Sequence, residues 1–352
     1  MVTKTIDKRI NIKDLAKILN VSTATISRAF NNKPGVSQKL KKEILKKSKQ
    51  LDYYPSSIAR NFATTSTDTI GVVIPHRAES IFSDYFTPEV LSGIEDITNK
   101  IDYNLQIITS QKIIEEELSY IRILKEKKVD GLILMGLITG TKSFLKLEDS
   151  NLPYITIGKS TKNQKGSFVD LDHFKAAEII VEHLVEQHKR KKIYLITGFS
   201  KFLCYENYIN GYKSALMKYN LPFDNSQVKE GNTDEKDGYL LMKDFLDCGN
   251  IPDAVITSSD AMAIGAIEAI NEKRLKVPED IAVTGFCDFK LIAKYLQPPL
   301  TTIRQPNYEM GKLSAQTLIN IIKGENQNLH QILLQPQLVI RHSCGCKQDT
   351  VK

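Results

Sequence analysis

From Thr69 onward the chain alternates short, unbroken apolar runs with segments of helical periodicity, and this alternation limits the folds open to it. Ile70-Gly71-Val72-Val73-Ile74 is followed by the turn signal Pro75, the mark of a strand buried on both faces of a parallel sheet. The pattern continues with a helix over 89–100, a strand over 105–109, a helix over 115–127, a strand over 131–135, a short helix and a strand over 154–157. It restarts with helices over 175–187, 207–219, 237–245 and 261–272 and strands over 193–196, 254–257 and 281–284. A helix over 310–322 and a strand near 337–340 complete it. These are βαβ units, and two blocks of similar size predict two α/β lobes. Parallel lobes bind ligands beyond the carboxyl ends of their strands, so two facing lobes define a cleft for a small molecule.

Residues 1–55 read differently, as a small all-α head. Ile12 to Leu19 places Leu15, Ala16 and Leu19 on one helical face. Asn20-Val21 is a tight corner, because Asn tolerates the left-handed backbone. Ser22 then caps a second helix in which Ile26, Ala29 and Phe30 face inward while Thr23, Ala24, Ser27 and Arg28 face outward. This is a helix-turn-helix, whose second helix enters the DNA major groove. Ser37 caps a third helix, with Leu40, Ile44 and Leu51 inward and Lys41, Lys42, Lys46, Lys47 and Lys49 outward. Residues 56–68 form a hinge and linker. The segment 57–63 is too short to be a stable helix alone, yet carries an apolar edge of Ile58, Ala59, Phe62 and Ala63, so it is expected to fold on docking.

Charge supports this division. The net charge of +7 is unevenly spread: residues 1–65 hold fourteen Lys and Arg against four acids, leaving the remainder slightly acidic. A basic head on an acidic body is the footprint of a chain that binds a polyanion with one end. Five cysteines, an odd number, argue against a disulfide framework. Cys344-Gly345-Cys346 lacks the two-residue spacer of a zinc or redox pair, and the six His show no metal spacing, so no metal or cofactor is expected. No apolar signal core or membrane-length run is present, which predicts a cytoplasmic protein without a membrane partner. The chain also lacks a dinucleotide fingerprint, a phosphate-binding loop and a nucleophile elbow, and an enzyme is not expected.

The residues as a whole resemble the LacI/GalR (lactose repressor) family of bacterial transcription regulators. The matching stretches begin with Ile12-Lys-Asp-Leu-Ala, Val21-Ser-Thr-Ala-Thr-Ile-Ser-Arg, Asn31-Asn-Lys-Pro-Gly-Val-Ser and Leu51-Asp-Tyr-Tyr-Pro. Asp260-Ala-Met-Ala-Ile-Gly-Ala, Val277-Pro-Glu-Asp-Ile-Ala-Val-Thr-Gly-Phe and Pro299-Leu-Thr-Thr-Ile-Arg-Gln-Pro follow in family order. The resemblance implies an all-α helix-turn-helix head plus an α/β two-lobed periplasmic-binding-protein-like core over 69–352. It assigns 69–163 and 297–325 to an N-lobe, and 164–293 and 326–345 to a C-lobe. It further implies a homodimer or tetramer that reads a pseudo-palindromic operator in double-stranded DNA and answers to a small effector.

Carried over by position, Thr23, Ala24 and Arg28 fall where the family reads base edges, and Arg28 is suited to bidentate contact with guanine. Thr25, Ser27 and Asn31 fall at phosphate-contact positions, and Ile12 where an apolar group touches the DNA. Ala59 and Phe62 match the hinge positions that enter the minor groove, with Phe62 in place of the usual Leu wedge. The effector positions depart more. The usual Gly-Phe-Asp-Asp is Gly285-Phe286-Cys287-Asp288, a common Arg is Tyr208, and the Asn-Asp pair is Ser259-Asp260. With Lys159, Asp172 and the stacking candidates Phe82 and Tyr85, these residues suit a sugar-like ligand. The leading expectation is therefore a repressor of a carbohydrate-utilisation operon. A corepressor-dependent or phosphocarrier-dependent regulator, and a cytoplasmic solute-binding protein, are the alternatives.

Overall fold

The computed structural model describes residues 10–30, 33–54, 66–74, 86–109, 119–136, 142–159, 161–249, 251–325 and 329–351. The chain divides into two compact units, Met1–Thr67 and Asp68–Lys352. In the head, helices α1 (Ile12–Ile18), α2 (Thr23–Phe30) and α3 (Gln38–Gln50) follow the expected order. Asn11 and Asp14 cap α1 reciprocally: the Asn11 side chain accepts from the Lys13 and Asp14 amides, and Asp14 accepts from the Asn11 amide. Asn20 turns the corner at φ 51°, and the Ser22 hydroxyl accepts from the Thr25 amide at 3.1 Å. Leu15, Ala16, Ile26, Ala29 and Ile44 form the core, closed by Tyr53, on which Phe30 packs edge-on at 5.9 Å.

The second unit holds two sheets. The first joins β1 (Thr69–Val73), β2 (Asn104–Ile108), β3 (Gly131–Met135), β4 (Tyr154–Ile157), β5 (Phe168–Leu171) and β11 (Gln331–Leu334), all parallel, in the order β11-β5-β4-β3-β1-β2. One of its faces is covered by α4 (Phe86–Lys100) and α12 (Asn307–Lys323), the other by α5 (Ser119–Lys125) and α6 (Lys142–Glu148). The second sheet joins β6 (Ile193–Gly198), β7 (Val228–Gly231), β8 (Ala254–Thr257), β9 (Ala282–Cys287), β10 (Thr301–Arg304), β12 (Gln337–Ile340) and β13 (Thr350–Val351) in the order β13-β12-β10-β9-β8-β6-β7. Here β12 runs antiparallel to β10 and β13 antiparallel to β12. Helices α7 (His173–His188) and α8 (Leu203–Lys218) cover one face, and α9 (Glu235–Asp247) and α10 (Asp260–Glu272) the other, with the single turn α11 (Lys290–Ala293) following β9.

Three strands lie in a different lobe from the one expected. β5 and β11, read with the C-lobe, pair with each other and with β4 in the first sheet. β10, read with the N-lobe, lies between β9 and β12 in the second sheet. The reason is register: Phe168 faces Thr156, and Thr301 faces Thr284. The chain therefore crosses between the sheets at residue 172, at 305–306 and at 335–336. β5, β7, β10 and β11 had no counterpart in the sequence pattern. Each is four residues long, and β5, β7 and β10 are further interrupted by the charged residues Asp170, Lys229 and Glu230, and Arg304, so no apolar run of the kind that marked β4 and β8 is present in them.

Helices α4 and α12 meet backbone to backbone. A Cβ on Gly93 would lie 2.0 Å from the Tyr308 carbonyl oxygen, and one on Gly311 would lie 2.1 Å from that of Val90. Gly238 and Gly265 make the same crossing between α9 and α10. Such contacts leave no room for a methyl group without parting the helices. Gly311→Ala should therefore destabilise the core by about 1–3 kcal/mol, with Tm falling by several degrees in differential scanning calorimetry. An unchanged Tm would show that α4 and α12 are not so closely packed.

Candidate functional site

The outward face of α2 presents Thr23, Ala24 and Arg28 exposed, with Thr25 and Ser27 half-buried beside them. Eight residues make a helix about 12 Å long, close to the width of the DNA major groove. No acidic residue occupies its first turn, so the amide-rich N-terminus stays attractive to anions. Arg28 sits in its last turn with the guanidinium beside Gly35, and is the longest polar side chain on this face. Ile12 is half-buried at the start of α1. Asn31, Ala59 and Phe62 lie outside the described residues.

In the second unit the candidate effector residues gather at carboxyl ends of strands, around Phe286 near the end of β9. His173, the first residue of α7, stacks on the Phe286 ring at 5.5 Å, and Tyr208 from α8 packs edge-on at 5.3 Å. His173 Nε2 also lies 3.5 Å from Asp170 Oδ1 in β5, so the cluster spans the two sheets. The other Asp170 oxygen accepts from the Lys159 amide at 3.0 Å, and Lys159 Nζ lies 5.6 Å above the Phe168 ring. Asp172 is committed to capping α7, accepting from the Lys175 amide. Lys162 Nζ and Glu206, at 2.6 Å, make an exposed ion pair between the lobes. Tyr208 is fully buried, burial pushes its hydroxyl pKa up, and that hydroxyl has no hydrogen-bond partner among the described residues. Cys287 and Asp260 are its electrostatic neighbours. Phe82 and Tyr85 lie outside the described residues.

Sequence reasoning passed over Asp170, His173, Phe286, Arg304 and Arg341. The signal for His173 was its place beside Asp172, while the two arginines gave none because their partner is distant in sequence. Asp288, in left-handed backbone at φ 55°, is gripped on both carboxylate oxygens. Arg304 Nε and Nη2 reach Oδ2 at 2.8 and 2.7 Å, and Arg341 Nη2 reaches Oδ1 at 2.6 Å. This network ties the ends of β9, β10 and β12 together, and losing one partner of such a buried pair is costly.

Asp260 is engaged too. Ser259 supplies the α10 cap, while Asp260 accepts from Thr302 Oγ1 at 2.6 Å and from the Phe289 amide at 2.8 Å. Burial pushes its carboxyl up to about 7, against those two hydrogen bonds. The folded chain thus holds a proton that an unfolded aspartate releases near pH 4. The stability linked to that proton is complete below about pH 4 and is lost as pH rises towards 7. Asp260→Asn, which mimics the protonated form, should gain stability relative to the native chain across this window. Urea denaturation at about pH 5, 6 and 8 reads the difference, and a pH-independent difference would mean that Asp260 stays ionised.

Among the described residues no helix is long and apolar enough to cross a membrane. Two family models match the chain: bacterial regulatory proteins, lacI family, over residues 11–56, and periplasmic binding protein-like domain over residues 181–344. The chain is 35% identical over 343 residues to the HTH-type transcriptional regulator RegA of Clostridium acetobutylicum, covering 95% of this chain and 99% of that protein. It is 31% identical over 332 residues to the ribose operon repressor of Haemophilus influenzae, covering 94% and 98% of the two. The structure of the Lac repressor dimer bound to operator and the anti-inducer ONPF has the same fold, with a TM-score of 0.84 at 23% identity over 96% of this chain and 99% of that one. With helix-turn-helix head and two-lobed core in the family's order, the chain belongs to the LacI family of bacterial regulatory proteins and is a DNA-binding transcriptional regulator.

Proposed function

We propose that this regulator represses a carbohydrate-utilisation operon and that a hydroxyl-rich small molecule, held between the lobes, controls its grip on the operator. Thr23, Ala24 and Arg28 read base edges. Thr25, Ser27 and Asn31 hold phosphates, Ile12 adds an apolar contact, and Ala59 and Phe62 enter the minor groove from the hinge. Two copies in a homodimer supply the two heads for a pseudo-palindromic site. The protein works in the cytoplasm as a binding protein rather than an enzyme, and turnover of a bound sugar would overturn that part. An effector shifts operator affinity only by its preference for one lobe arrangement over the other.

The observation that carries the effector reading is the buried, unpartnered Tyr208 hydroxyl beside Cys287 and Asp260. A polar group left unsatisfied in a core is costly, and a ligand hydroxyl would satisfy it. Asp260 and Asp288 support this wall from behind through their own hydrogen bonds, while Lys159 and Asp172 stand on the side of the first lobe. Sugar chemistry is in keeping with the relatives: one is a ribose operon repressor, and a LacI-family regulator from Enterococcus faecium, 25% identical, has been solved with bound ribose.

Two outcomes follow. Arg28→Ala should lower affinity roughly 5- to 150-fold for each half-site, the loss of about 1–3 kcal/mol of base discrimination per head, with a much smaller loss on random DNA in fluorescence anisotropy titrations. Equal losses on both would remove Arg28 from base reading. Tyr208→Phe keeps the ring on Phe286 and removes only the orphaned oxygen, so the free protein should be as stable as the native chain or slightly more so. Its thermal stabilisation by a panel of mono- and disaccharides, ribose and cellobiose included, should fall, along with sugar-dependent release of operator. Full retention of both responses would place the effector elsewhere.

A further inference from the structure

The second sheet carries a cluster that has no part in operator or effector binding. The one-residue spacing of Cys344-Gly345-Cys346 and the scatter of the histidines gave no expectation of a metal, but the fold brings these residues together. His183 and His188, at the C-terminal end of α7, converge with Cys344 and Cys346, and the four candidate ligand atoms all lie within 4.8 Å of one another. His183 Nε2 is 3.3 Å from Cys344 Sγ and 3.9 Å from Cys346 Sγ, and His188 Nε2 is 3.3 Å from Cys346 Sγ. Two histidines five residues apart do not stack on one helical face, which is why their spacing carried no signal. Their ring centroids nonetheless lie 5.1 Å apart.

We propose that His183, His188, Cys344 and Cys346 bind one Zn²⁺ ion in a closed, tetrahedral, structural site. Zinc–sulfur and zinc–nitrogen bonds of about 2.3 and 2.0–2.1 Å in a tetrahedron set neighbouring ligand atoms roughly 3.3–3.8 Å apart; here three sulfur–nitrogen pairs stand at 3.3, 3.3 and 3.9 Å and no pair exceeds 4.8 Å, so contraction by at most about 1 Å forms the tetrahedron. Two thiolates neutralise the dication, two neutral imidazoles complete the set, and the soft S₂N₂ donor combination favours zinc. Binding releases the two thiol protons. Four protein ligands leave no open position for a substrate.

The surroundings are shaped for this. Gly345 has φ 111°, and a Cβ there would approach His188 Nδ1 to 3.0 Å, so glycine lets the two sulfurs turn towards the same point. Thr301 Oγ1 donates to Cys344 Sγ at 3.1 Å, an outer hydrogen bond of the kind that steadies a metal-bound thiolate. Thiol–imidazole hydrogen bonds would account for the pairs singly, but do not require all four atoms to share one centre. The ion would pin the segment after β12 to α7. Residues Arg341, which grips Asp288, and β13 flank that segment. Along α7 the site lies about 20 Å from the Asp172–His173 end at the cleft, so it is separate from the effector site.

The test is metal analysis of the full chain, purified under reducing conditions with its affinity tag removed. We expect one equivalent of zinc by inductively coupled plasma mass spectrometry, lost in His188→Ala/Cys346→Ser and kept in Cys248→Ser, a control at an exposed cysteine outside the cluster. Cobalt(II) added to the chelator-stripped native chain should give the intense d–d bands of a tetrahedral ion together with sulfur-to-cobalt charge transfer. Zinc should raise the Tm of the stripped protein by several degrees. The cobalt spectrum is read on the native chain and so does not depend on the variants folding. A metal-free chain after incubation with zinc and reductant, a cobalt spectrum without thiolate charge transfer, or zinc retained by the double variant would each overturn the proposal.

Discussion

The core is one chain threaded three times between two sheets, at residue 172, at 305–306 and at 335–336, and the proposed effector control depends on that threading. Neither lobe is a contiguous piece of sequence, so each is completed only when the chain has passed through the other and returned. What lies beside the crossings is accordingly built with care. His173 follows the first crossing and touches Asp170 on one sheet and Phe286 on the other. Arg304 precedes the second and is held by Asp288, which Arg341 holds in turn. A ligand at this end acts where the backbone links the lobes, and small differences in its contacts with each side are enough to favour one arrangement.

Buried charge is handled in two ways at this end of the second sheet. Asp288 meets two guanidinium groups, one on each carboxylate oxygen. Asp260, deeper and with two neutral donors, meets burial by holding its proton up to about 7. Neither carboxylate projects freely into the cleft, and the expected sugar-gripping acids act first as supports. Tyr208 differs from both, since its buried hydroxyl is among the polar atoms to which the described residues offer no partner.

Much of the architecture was legible in the residues. The head was read closely, because corner, caps and core face lie within four positions of one another: Asn20, Ser22 with Thr25, Ser37 with Leu40; the Asn11–Asp14 cap of α1 emerged only from the structure. Long helices and fully apolar strands such as β1 and β3 also declared themselves. β5, β7 and β10 did not, since four residues containing Asp170, Glu230 or Arg304 look like loop until a neighbouring strand pairs with them, and β11 gained its identity only by pairing with β5. Among candidate effector positions, the resemblance named residues at strand ends, but which of their oxygens were already taken was invisible without partners from distant segments.

By itself, the sequence determined the local vocabulary: a capped, basic helix-turn-helix head, a linker, and alternating strands and helices sufficient for two parallel α/β lobes. Tertiary structure alone decided which lobe receives β5, β10 and β11, that Asp288 sits between Arg304 and Arg341, and that His183 and His188 meet Cys344 and Cys346. The physical reason is separation. Helical and strand periods, caps and turns are set by neighbours a few residues away, whereas strand register, buried ion pairs and a four-ligand cluster join residues up to some 160 positions apart. Such groups are brought together only when the whole chain has packed.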